Sequence, residues 1–114
     1  MIHNMILQLP ITDRWGTDAE MNLRHQLEEE FQAELGELGD VSGGDIGSGN
    51  MNVFIDQIRD FDPAFEKVKA VLTRHSAIDK ATIQRTTFQD EGDDDPSEKV
   101  VVWPENFTGV FRLF

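Results

Sequence analysis

In "IHNMILQLPI", His3, Met5, Leu7, Leu9 and Ile11 alternate with Ile2, Asn4, Ile6 and Gln8, the period of a strand with one strongly apolar face. Pro10 has no amide hydrogen and belongs at that strand's end or on an edge. The period then changes. Thr17 and Glu20 in "TDAE" form a capping box, and Leu23, Leu27, Phe31, Leu35 and Leu38 recur at helical spacing behind it. Glu34 interrupts that stripe, and Gly36 or Gly39 closes the helix. In "MNVFIDQI", Met51, Val53 and Ile55 share one face, while Asn52, Phe54 and Asp56 share the other.

"DFDPAF" opens a second helix, with Asp62 predicted as the cap and Pro63 as the first helical residue. Ala64, Val68, Val71 and Leu72 supply its buried stripe, and it is predicted to stop near His75. "KATIQRTTF", Lys80 to Phe88, is rich in β-branched residues and reads as a strand. An acidic turn, "QDEGDDDPSE", leads to a last strand, "KVVVWP", which Pro104 ends.

Between the first helix and "MNVFIDQI" lies "GDVSGGDIGSGN", which holds Gly39, Gly43, Gly44, Gly47 and Gly49. A phosphate loop needs backbone amides aimed at the anion with a helix start behind them. The P-loop form also ends in Gly-Lys-Ser/Thr, and no lysine occurs between Met1 and Asp60. Gly44, Gly47 and Gly49 do not follow the dinucleotide order, Asp40 and Asp45 would repel a phosphate, and a strand follows. The run therefore reads as one arm of a β-hairpin, with its turn at Ser48-Gly49-Asn50.

The resulting order predicts an α+β domain spanning residues 1–114: a ferredoxin-like βαββαβ arrangement with an additional C-terminal strand, its antiparallel sheet packed on two helices. If helices cover the Met5 and Val53 face, the other face carries Ile6, Phe54, Phe88 and one register of the last strand, Val101 with Trp103. Phe107, Phe111 and Phe114 in the tail are then also unaccounted for. Left bare, so much apolar surface exceeds what monomers usually tolerate. Either the tail folds back over the sheet or a symmetric homodimer forms through it. A pocket or dimer face built from Phe54, Trp103, Phe107 and Phe111 is the corresponding expectation.

Charge adds the next constraint. The formal net charge is −12, with the excess of acids in residues 1–39 and 90–114. Such a surface repels nucleic-acid phosphate and anionic membrane, so neither is an expected partner. It attracts and steers a basic protein. No apolar run is long enough to span a membrane, no secretory segment is recognisable and there is no cysteine, so a reducing cytoplasm is the expected compartment.

Chemical motifs are few. His25 and Glu29 lie one helical turn apart, but nothing supplies a third ligand, so no metal is expected. His3 falls on an apolar strand face as a structural histidine, and His75 sits where a helix C-terminus favours its charge. In the acidic turn Gly92 comes too early for an EF-hand and Pro96 interrupts it. No nucleophile elbow occurs, and no catalytic residue or cofactor is assigned.

"GGDIGSGNMNVFI", "DPAFEKVKAVL" and "VVVWP" together resemble the pattern of small bacterial proteins of unassigned function with a ferredoxin-like core. The resemblance spans roughly Leu35 to Pro104 and implies fold, with no functional residues attached. The functional expectation comes from charge: a non-enzymatic binding domain, comparable with inhibitor or immunity proteins. Its contacts to a basic partner are expected from Glu28, Glu29, Glu30, Glu37, Asp93, Asp94 and Asp95. The alternative is a small enzyme or small-molecule binder with a pocket on the sheet face.

Overall fold

A computed structural model describes residues 1–12, 16–90, 92, 94–109 and 111–112. Its strands are β1 (Ile2–Pro10), β2 (Asp40–Gly47), β3 (Asn50–Ile58), β4 (Thr82–Phe88) and β5 (Glu98–Trp103). The helices are α1 (Asp18–Leu35) and α2 (Phe61–Arg74), followed by single 3₁₀ turns at Gly36–Leu38 and Ile78–Lys80. The strands form a five-stranded sheet in the order β2-β3-β1-β4-β5, antiparallel throughout. The architecture is α+β, with one sheet and two helices.

The strand and helix stripes meet as their periods require. Met5, Leu7, Leu9, Met51, Val53, Ile55 and Ile83 from the sheet pack with Leu27, Phe31 and Leu35 of α1 and with Ala64, Val68, Val71 and Leu72 of α2. Both helices therefore cover one face of the sheet. At the start of α1 the capping box forms: the Glu20 amide donates to Thr17 Oγ1 at 3.1 Å, and the Thr17 amide donates to Glu20 Oε1 at 2.9 Å. The Thr12 amide adds a bond to Glu20 Oε2 at 2.8 Å. These backbone donors hold the Glu20 carboxyl below its ordinary range.

The glycine run is sheet. Asp40–Gly47 pairs with Asn50–Ile58 through a two-residue turn at Ser48 and Gly49, both at positive φ (52° and 86°). That combination is the hairpin geometry whose twist matches the flanking strands.

Three local readings are corrected. First, α2 begins at Phe61, with Asp60 in the cap position and no side-chain cap, rather than with Asp62 as cap. Phe61 is 8% exposed, lies edge-on to His3 and stacks on Phe65, so its burial pulls the helix start forward. Pro63 then falls at the third helical residue, where its missing amide still costs no intrahelical bond.

Second, β3 carries a bulge: His3 faces Ile58 while Met5 faces Ile55, and Gln57 takes a φ of 59°. The extra residue turns Ile58 back into the core, fully buried, although simple alternation puts it opposite Ile55.

Third, the β4–β5 register shifts between Ile83, which faces Trp103, and Gln84, which faces Val101. Trp103 thus leaves the helix-free face predicted for it and packs on the helix side. There its Nε1–H donates to the Ile78 carbonyl at 3.0 Å, and Lys69 Nζ lies 5.6 Å from its ring centre.

The helix-free face is covered in part by the tail. Gln8 Nε2 donates to the Arg112 carbonyl at 2.6 Å and to Asn52 Oδ1 at 3.0 Å, and Asn52 Nδ2 donates to Asp45 Oδ1 at 2.8 Å. This ladder lets Asn52 be wholly buried within the sheet at no cost of an unmet polar group. Phe111 lies over the same face beside Ile6 and Phe88. Phe114 lies outside the described residues. Among the described residues no helix is long and apolar enough to cross a membrane.

Candidate functional site: the acidic end of the sheet

Strand directions bring three acidic segments to one end. β1 enters at that end, so its antiparallel neighbours β3 and β4 leave there, and β2 and β5 start there. The junction before β2 contributes Glu37 and Asp40, the β3–α2 junction contributes Asp56, Asp60 and Asp62, and the β4–β5 turn contributes Asp90, Asp94 and Asp95. Arg59 is the only base in the β3–α2 junction. Arg85, on the helix face of β4, is engaged with Glu98 at the start of β5 and lies over the Phe61 ring at 5.3 Å.

The sharpest feature is a direct cross-strand pair of like charges. Asp40 faces Asp56, and neither makes an ion pair among the described residues. Like charges directly opposite one another weaken a sheet. Replacing Asp56 with asparagine removes the repulsion at constant shape. The urea midpoint should rise by the equivalent of about 0.2–1 kcal/mol. A fall in the midpoint would show that the pair is compensated in solution.

The acids predicted on α1 divide. Glu28 is bound to Arg24 at 2.9 Å and lies 3.5 Å from His25 Nδ1. Glu30 receives His75 Nε2 at 2.6 Å and Arg74 at 3.3 Å, and Arg74 also reaches Glu34 at 3.0 Å. His75, followed by Arg74, holds the Glu30 carboxyl below its ordinary range. Glu28 and Glu30 therefore serve the fold, one along α1 and the other between α1 and α2. Glu29 and Glu37 remain exposed, as do Asp94 and Asp95, and Asp93 lies outside the described residues. The helix acids and the turn acids sit toward opposite edges of the sheet, since α1 packs on β2 and the turn joins β4 to β5. Asp40, Asp56, Asp60 and Asp62 lie at the same end of the sheet, on its β2–β3 side. Sequence reasoning left those four out because they are scattered along the chain, and strand register was the signal that joins them.

Nor do the four aromatic residues predicted to line a pocket come together. Trp103 is on the helix side, Phe54 is on the opposite face next to Ile6, and Phe107 follows Pro104 in a tight turn. Phe111 alone lines a cavity on the helix-free face. That cavity, of about 470 Å3, is lined by Ile6, Gln84, Thr86, Phe88 and Lys99 of the sheet and by Asp94, Pro96 and Phe111.

Of the histidines, His25 is exposed beside Glu28, and no group of three or more metal-binding side chains occurs among the described residues. His3 Nδ1 bonds Thr87 Oγ1 at 2.9 Å, and burial, followed by the nearby Arg85 charge, lowers its pKa. The folded state thus favours neutral His3, so its contribution is fully present above the ordinary histidine pKa and is lost as pH falls through the lowered one. Between pH 7.5 and 5, at constant ionic strength, wild type should lose more stability than His3→Gln. Equal losses in urea titrations would remove His3 as the cause.

Comparison with known proteins gives no match, either to a protein-family model or to a curated protein sequence.

Proposed function

We propose that this is a ferredoxin-like α+β domain with a non-enzymatic role, binding a basic protein partner on the acidic end of its sheet. The βαββαβ order, with β1 between β3 and β4 and an added β5 at the edge, supports the fold name. One observation carries the functional reading: Asp40 and Asp56 are cross-strand partners with no ion pair among the described residues, on the β2–β3 side of an end to which three acidic segments are brought. A fold shaped by stability alone would separate or pair them. A docked cationic surface relieves the repulsion, and the field of the whole −12 molecule steers such a surface in. The partner chemistry is Lys- and Arg-rich protein. Nucleic acid and anionic membrane carry the wrong sign.

The test compares two charge-neutralised variants of equal net charge. Asp40→Asn with Asp56→Asn should weaken capture of basic proteins from native lysate at low salt. Glu28→Gln with Glu29→Gln should weaken it less, and high salt should abolish capture by wild type. Retention indifferent to salt, or reduced equally by both pairs, would overturn the reading.

A further inference from the structure

The cavity on the helix-free face adjoins the acidic end. Asp94 belongs to both, since the β4–β5 turn that supplies acids to the end also closes the cavity rim. Its apolar lining comes from Ile6 and Phe88 of the sheet and from Pro96 and Phe111. Its floor is polar where Gln84 and Thr86 line it, and the Gln84 carboxamide makes no hydrogen bond among the described residues. A volume of about 470 Å3 lies within the range of pockets that enclose a small organic group. Protein interfaces concentrate their energy where one partner inserts an aromatic or large apolar anchor into such a pocket, inside a ring of charged contacts.

Building on the basic-partner reading, we infer that this cavity is the anchor pocket of the docking surface: it takes one aromatic side chain from a basic segment whose flanking lysines or arginines lie on the acidic end. Charge complementarity selects this occupant. Among the described lining residues Lys99 is the one cation and Asp94 offsets it, while Asp90 and Asp95 stand in the same turn, so an aromatic group carried among cations is favoured over one carried among anions. Gln84 offers the entering segment's backbone a donor and an acceptor. The Phe111 wall belongs to the tail, which crosses the sheet at Gln8 and so fixes one side of the pocket.

Three capped peptides separate the elements of this inference: Lys-Lys-Phe-Lys-Lys, Lys-Lys-Ala-Lys-Lys and Ser-Ser-Phe-Ser-Ser, titrated into the full chain with backbone amide NMR shifts as the readout. The phenylalanine–lysine peptide should bind about tenfold or more tighter than its alanine counterpart, the effect of burying one aromatic ring. Its shifts should centre on Ile6, Gln84, Thr86 and Phe88. Phe111→Ala should erase the difference between these two peptides while leaving the alanine peptide's affinity unchanged. A Gln84→Glu variant, which leaves the tail intact, should tighten both lysine peptides. Equal binding of the two lysine peptides would overturn the anchor pocket and leave the acidic-end reading standing. Equal binding of the serine and lysine phenylalanine peptides would overturn the basic-partner reading. No binding by any of the three at low salt would overturn both.

Discussion

Phe31→Ala is expected to lose about 3–5 kcal/mol of stability, the usual cost of deleting a fully enclosed aromatic ring. Phe31 has no exposed surface and sits in the C-terminal half of α1, in the core shared by the sheet and α2. The cost has two parts: the lost transfer of the ring out of water, and the cavity left by neighbours that cannot collapse onto a methyl group. Leu27 and Leu35 flank it on the same stripe and are themselves fixed against the sheet, so relaxation into the space is limited. Set against a total of about 5–15 kcal/mol for a domain of this kind, the substitution brings the protein close to unfolding. Urea denaturation with an unchanged slope and a large drop in midpoint is the expected record. If the variant does not fold, Phe31→Leu supplies the graded measurement. A loss under about 1 kcal/mol for the alanine variant would contradict the packing described.

Gly44→Ala is expected to cost about 2–3 kcal/mol. A Cβ there would stand 2.4 Å from the Asn52 carbonyl oxygen, 2.8 Å from Glu28 Oε1 and 3.0 Å from Arg24 Nη1. The two side-chain atoms end flexible arms and can swing away. The Asn52 carbonyl cannot, because it belongs to β3 beside the paired strand β2. Truncating Arg24 to alanine in the Gly44→Ala background should therefore recover only a minor part of the loss. Full recovery would mean that the ion pair, and not the backbone, sets the limit. This position also gives the physical account of the glycine-rich run. Glycine lets α1 lay its Arg24–Glu28 pair directly on β2, a close approach that no side chain at residue 44 permits.

Much of this arrangement was legible beforehand, and the reason is local. The capping box at Thr17 and Glu20, the Leu27–Phe31–Leu35 stripe and the alternation of Met5, Leu7 and Leu9 each depend on residues within one or two turns of chain. The glycine run is legible as a hairpin because Ser48 and Gly49 suit a two-residue turn, and because Asp40 and Asp45 are poor neighbours for a phosphate. The start of α2 differs from the cap-and-proline pattern because Phe61 is buried against His3 of β1, a tertiary contact that neighbouring residues do not reveal. The candidate site was read only in pieces. Of the acids expected from charge, Glu29, Glu37, Asp94 and Asp95 are exposed, whereas Glu28 and Glu30 are held by Arg24 and by Arg74 with His75.

The sequence by itself determined the two periods, the element order and a strongly negative surface, because each follows from the chemistry of neighbouring residues. Bulges decided the rest. Without the one at Ser42, the turn at Ser48–Gly49 would set Asp40 opposite Gln57; with it, Asp40 meets Asp56. The bulge at Gln57 returns Ile58 to the core, and the shift beside Ile83 moves Trp103 to the helix side. One extra residue reverses every side chain beyond it, and whether a strand takes that residue is settled by what packs above and beside it. The acid-on-acid pairing across β2 and β3 is therefore a product of tertiary register. Should a solution structure find Asp40 and Asp56 apart, the case for a cation-seeking surface at that end would go with them.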